Sequence, residues 1–167
     1  VLKTLDDVME ELAYNLRDAG VQEKYAKALA AYLCSAYRHH TPVLLAGPNG
    51  LGIVQAFSMT LFGKSAAILS CMGEYSEDIY DACEESDDEV VAILNPFCVG
   101  WTQRIPLFVG EISKFCFLIT PYVEDLQVEP LGMLNYLLPL ATEFFVDKRP
   151  TGMYPPNKLG MDFSELP

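Results

Sequence analysis

Apolar residues first recur at helical spacing. Leu5, Val8, Met9, Leu12 and Leu16 fall on one face of a segment spanning 4–19, with acids and Asn between them. Thr4 or Asp6 can cap its start and Gly20 stops it. A second helix is predicted over 22–38, rich in Ala and Leu and closing on Arg38 and His39, as the helix dipole favours. The period then changes. "PVLLAG" (42–47) is short, continuously apolar and ends at glycine, the pattern of a buried strand.

Strands and helices alternate from there. A helix over 52–62 ends at Gly63, and "SAAILSCM" (65–72) is a second strand. "SEDIYDACEES" (76–86) is an amphipathic helix with Ser76 as its cap and acids in its first turn. "EVVAILNPF" (89–97) is a third strand, a helical stretch follows within 101–112, and "KFCFLIT" (114–120) is a fourth strand. The region 129–142 reads as helical within the limits set by Pro130 and Pro139, and "EFFVDKRP" (143–150) as a short fifth strand. Strands apolar on both faces and alternating with helices indicate a parallel sheet covered on both sides, with the 42–47 strand central. The organisation expected is one α/β domain over 1–150, with N-terminal helices in 1–40 and a sheet core in 42–150. The stretch 151–167 reads as an extended tail.

Composition narrows the function. The 167 residues suffice for one sizeable core, and half of them are hydrophobic. The chain opens at Val1 without a Met and reads as a segment of a larger protein. The net charge of −12 and the lack of any Lys/Arg cluster beyond "YRHH" and "DKRP" argue against nucleic acid as a partner. Cys34, Cys71, Cys83, Cys98 and Cys116 show no C-x-x-C spacing and mostly sit in apolar runs, as reduced cytoplasmic thiols do. The adjacent His39 and His40 read as a helix end, so no metal ligand set is expected. The most apolar stretch, 131–146, is interrupted by Asn135, Pro139 and Glu143 and is shorter than the roughly 20 residues a membrane span needs. No signal peptide opens the chain, so the expected location is the cytoplasm. Trp101 reads as core or contact, and the acidic run at 87–89 as a solvated loop.

"LLAGPNGLGIV" (44–54) carries the candidate chemistry. Glycines after a buried parallel strand let backbone N–H groups converge on an anion at the start of the next helix. The spacing G-x-x-G-x-G is not the dinucleotide fingerprint, which speaks against a Rossmann cofactor site. It does match the G-x-x-x-x-G frame of a phosphate-binding loop, from Gly47 to Gly52.

On these residues the chain from 22 to about 150 resembles the core domain of AAA+ ATPases, in degenerate form. The resemblance implies a three-layer P-loop NTPase-like fold: a mostly parallel five-stranded sheet, helices on both faces, and a helical lid that 151–167 would begin. It places the Walker A lysine at Ile53 and the Mg²⁺-binding hydroxyl at Val54. It places the Walker B Asp-Glu at Asn95 and Pro96, sensor 1 at Thr120 and the arginine finger at Glu143. A lysine beside phosphate contributes about 4 kcal/mol of raw Coulomb attraction at a surface-like dielectric. Every substitution removes a charge or a metal ligand, so the motif as it stands is not expected to hydrolyse ATP.

The expectation is a non-catalytic AAA+-like scaffold or interaction module in a larger cytosolic protein. Its partners would be other domains or separate proteins, with homo-oligomerisation an option. The alternatives are a nucleotide-binding regulator or NTPase with a rearranged site, and an unrelated α/β domain without a ligand. A vestigial phosphate site is assigned to Gly47, Asn49, Gly50, Gly52 and Thr120. No cofactor is expected; under the alternative it is ATP, or a phosphate or sulfate at the turn. Ile53 or Val54 is expected to fold into the core, so that packing holds the loop.

Overall fold

A computed structural model describes residues 3–71, 77–97, 109–126 and 137–147. The elements run α1 (Leu5–Asp18), α2 (Glu23–Arg38), β1 (Val43–Ala46), α3 (Gly50–Phe62), β2 (Ala67–Ser70), α4 (Glu77–Glu85), β3 (Val90–Leu94), β4 (Phe115–Thr120) and β5 (Leu138–Ala141). Short 3-10 turns follow β4 at Val123–Leu126 and β5 at Thr142–Phe144. A helical turn also occupies 109–111.

The helix ends follow from local chemistry. Thr4 caps α1 in a full capping box: its hydroxyl accepts from the Asp7 N–H, and the Asp7 carboxylate accepts from the Thr4 N–H. Gly63 closes α3 in the left-handed region, at φ 72°, where a Cβ is disfavoured. His39 caps α2, as its position in the sequence implies.

The five strands form one sheet in the order β2-β3-β4-β1-β5, and every pairing is parallel. The period of 2 along the strands sorts their side chains into two cores. Val43 and Leu45, Val90 and Ala92, and Phe115, Phe117 and Ile119 join α1, α2 and α3 in one cluster. The intervening Leu44, Val91, Ile93, Cys116 and Leu118 join Cys83 of α4 and Ile112 in the other. Both faces of β1, β3 and β4 are therefore covered, which is why these strands are apolar along nearly all their length, whereas the edge strand β2 leaves Ile68 and Ser70 exposed. Phe57, Phe115, Phe117 and Tyr37 pack ring against ring in the first core, at centroid separations of 5.0 to 6.0 Å.

Three expectations are corrected. β1 is interior but not the middle strand; β4 is. Helix α3 begins at Gly50 rather than 52. The fifth strand is Leu138–Ala141, inside the stretch read as helical, and 143–147 carries only the end of a 3-10 turn and a bridge from Val146 to Val21. Pro139, read as a limit on the helix, is instead a strand residue, which the sheet tolerates because β5 lies at its edge. Ser76, Cys98, Trp101, the 101–108 part of the helical stretch, 129–136, and the tail 151–167 lie outside the described residues.

Candidate functional site

The strand order places a switch point at the carboxyl ends of β1 and β4. From β1 the chain crosses to β2 at one edge; from β4 it crosses to β5 at the other. In parallel sheets, ligands bind where neighbouring connections diverge in this way. The glycine turn is located there. Gly47 adopts φ +122°, outside the range of ordinary side chains, and its N–H donates to the Thr120 carbonyl at 2.9 Å. Asn49 is the left-handed N-cap of α3 (φ 64°) and gives that helix no side-chain cap. Its amide donates instead to the Ala19 carbonyl at 3.4 Å, tying the turn to the end of α1. Gly50 and Gly52 are buried in the first turn of α3, and a Cβ on Gly50 would lie 2.8 Å from Ile119 Cγ2. The assigned residues Gly47, Asn49, Gly50, Gly52 and Thr120 are thus brought to one end of the sheet.

Side chains next to the turn are packed into the protein. Ile53 and Val54 are both fully buried in the core shared with α1 and α2. Thr142, also fully buried, donates from its hydroxyl to the Pro48 carbonyl at 2.6 Å, with the Ala46 carbonyl at 3.4 Å. Its Oγ1 lies 2.6 Å from where a Gly47 Cβ would be. Glycine at 47 therefore serves both the backbone angle and the close approach of Thr142. Thr142 was not singled out from the sequence, because an isolated threonine between Ala141 and Glu143 has no periodic signature.

The other assigned positions also have local roles. The Thr120 hydroxyl donates to the Asp125 carboxylate and accepts from the Tyr122 N–H at 3.3 Å, closing the turn after β4. Asn95 sits in the left-handed region (φ 56°), and its N–H donates to the Ile119 carbonyl at 3.1 Å. Pro96 is buried and Glu143 is exposed on its 3-10 turn. Neither Lys nor Arg occurs among the described residues of 41–63, 90–97, 115–126 or 137–147, the segments that build this end of the sheet. The charged side chains among those described residues are the acids Glu124, Asp125, Glu143 and Asp147. Such a field opposes a polyanion.

Among the described residues no group of three or more His, Cys, Asp or Glu side chains is arranged to hold a metal ion. No described helix is long and apolar enough to cross a membrane. Cys34, Cys83 and Cys116 are buried thiols whose pKa values are pushed up by burial, which keeps them protonated. Comparison of the chain with protein-family models, curated proteins and solved structures finds no match.

Proposed function

We propose that the chain is a degenerate AAA+-like P-loop domain that serves, without nucleotide chemistry, as a scaffold or protein-interaction module of a larger cytosolic protein. The observation that carries this reading is the complete burial of Ile53 and Val54. In a working phosphate loop those positions send a cation and a hydroxyl towards the ligand. Here they point into the hydrophobic core, and Thr142 grips the Ala46–Pro48 backbone from the other side. The parallel sheet, with the turn at its switch point, supports descent from a nucleotide-binding ancestor.

One observation favours a nucleotide-binding regulator instead: the amino end of α3 has no side-chain cap and follows a left-handed residue, a geometry that welcomes an anion. Isothermal titration of the protein with Mg-ATP separates the two. No heat of binding is expected with the protein at tens of micromolar. A micromolar dissociation constant would refute the reading.

A further inference from the structure

Helix α2 presents an outward face unlike the rest of this acidic chain. Its buried side is Ala26, Leu29, Ala30, Leu33, Cys34 and Ala36. At 100° per residue, the opposite side is a continuous stripe in three strips. Ala28, Ala31 and Ser35 form a low centre with Lys24 at its amino end, Lys27 and Arg38 a cationic strip on one side, and Tyr25 and Tyr32 an aromatic strip on the other, with the Lys24 ammonium 5.0 Å from the Tyr25 ring centroid. All of these are exposed, Tyr32 to 59%. The single acid of the helix, Glu23, is turned off the stripe and pairs with Arg17 of α1 at 3.3 Å.

Across the sheet, α4 is the electrostatic complement. It contains no Lys or Arg. Its exposed side carries Asp81, Ala82 and Glu85, and the exposed Asp87 and Glu89 follow in the loop to β3. Asp81 and Glu85 are one helical turn apart, about 6 Å along the axis, close to the roughly 4.5 Å rise between Lys24 and Lys27. The two surfaces pack on opposite cores, so one molecule cannot bring them together.

We propose that the outward face of α2 docks the acidic α4 face of a second copy of this chain. Ala82 would meet the low centre of Ala28 and Ala31, and Asp81 and Glu85 would pair with Lys24 and Lys27. The two patches differ, so the contact is heterologous. It leaves a free α2 face at one end and a free α4 face at the other, and assembly extends beyond a dimer. The net charge of −12 holds the contact to modest affinity. The inference is independent of the glycine turn, and either can fail alone.

The test is sedimentation velocity over a concentration series up to a few hundred micromolar. The parent is expected to show concentration-dependent species larger than a dimer. Lys24→Glu with Lys27→Glu is expected to weaken association about tenfold or more, since like charges then face each other; Asp81→Lys with Glu85→Lys should do the same. All four changes in one chain should restore it. Lys24→Ala with Lys27→Ala is the milder control, and unchanged far-ultraviolet dichroism verifies that each variant folds. A parent that stays monomeric throughout, or reversal variants that associate like the parent, would overturn the proposal. So would a quadruple variant that remains monomeric. Dimers that stop at two would point to a symmetric contact elsewhere and would overturn it equally.

Discussion

At the scale of single residues, the turn at 46–50 is held by one hydroxyl and two absent side chains. Gly47 takes a backbone angle that costs an L residue roughly 1–3 kcal/mol, and its missing Cβ leaves the space Thr142 Oγ1 uses. Gly47→Ala is therefore expected to destabilise the fold by about 2–4 kcal/mol, the angle and the contact adding. Thr142→Val keeps the shape but removes the donor to Pro48, and is expected to cost about 1–2 kcal/mol. Thr142→Ser should stay near the parent. Urea unfolding reads all three. A Thr142→Val variant as stable as the parent would mean that the hydroxyl does not hold the turn. The two glycines at 47 and 50 were legible from their spacing, since a strand-to-helix turn in a parallel sheet demands them. Thr142 was not, because its role depends on the register that sets Ala46 beside Ala141.

At the scale of elements, period and capping were enough to locate α1, α2, α4 and four strands. The signals were local: Thr4 at a helix start, Gly63 at a helix end, short apolar runs between them. The fifth strand was missed because its evidence is not local. Leu138–Ala141 pairs only with β1, almost a hundred positions earlier in the chain, and its Pro139 is acceptable solely because the strand lies at the edge. Helix α4 has its own anchor. The Glu84 carboxylate accepts from the Ser113 N–H at 2.5 Å and from its hydroxyl at 2.8 Å, while the Tyr80 hydroxyl donates to the Glu111 carbonyl at 3.1 Å. The Ser113 backbone bond leads the causes that hold the Glu84 carboxyl below the usual carboxylate range; burial opposes it, and the Ser113 hydroxyl and Lys114 add to the lowering. A group whose pKa is lower folded than unfolded stabilises the fold above its unfolded value, and loses that contribution as pH falls through the folded value. Glu84→Gln is accordingly expected to weaken the protein at neutral pH and to flatten its stability profile on the acid side of pH 4–5. Chemical denaturation at a series of pH values checks it. A profile for the variant that runs parallel to the parent's would show that the Ser113 bonds do not matter.

At the scale of the molecule, the sheet, the turn and the charge bear on one question, whether this end of the sheet still receives a phosphate. The apolar pair after Gly52 was visible in the sequence as a departure from the phosphate-loop pattern. The expected burial of one of the pair is met by both, whose side chains lie in the core shared with α1 and α2, and the charged side chains among the described residues of the segments around the turn are acids. Our central claim is that packing replaces ligand as the force that orders the loop. The most direct measurement is the stability of the double variant Ile53→Lys with Val54→Thr, with and without Mg-ATP. The account predicts a loss of about 4 kcal/mol or more, from an ammonium and a hydroxyl placed in a dry core, and no recovery with millimolar Mg-ATP. A variant as stable as the parent that binds Mg-ATP tightly would contradict it.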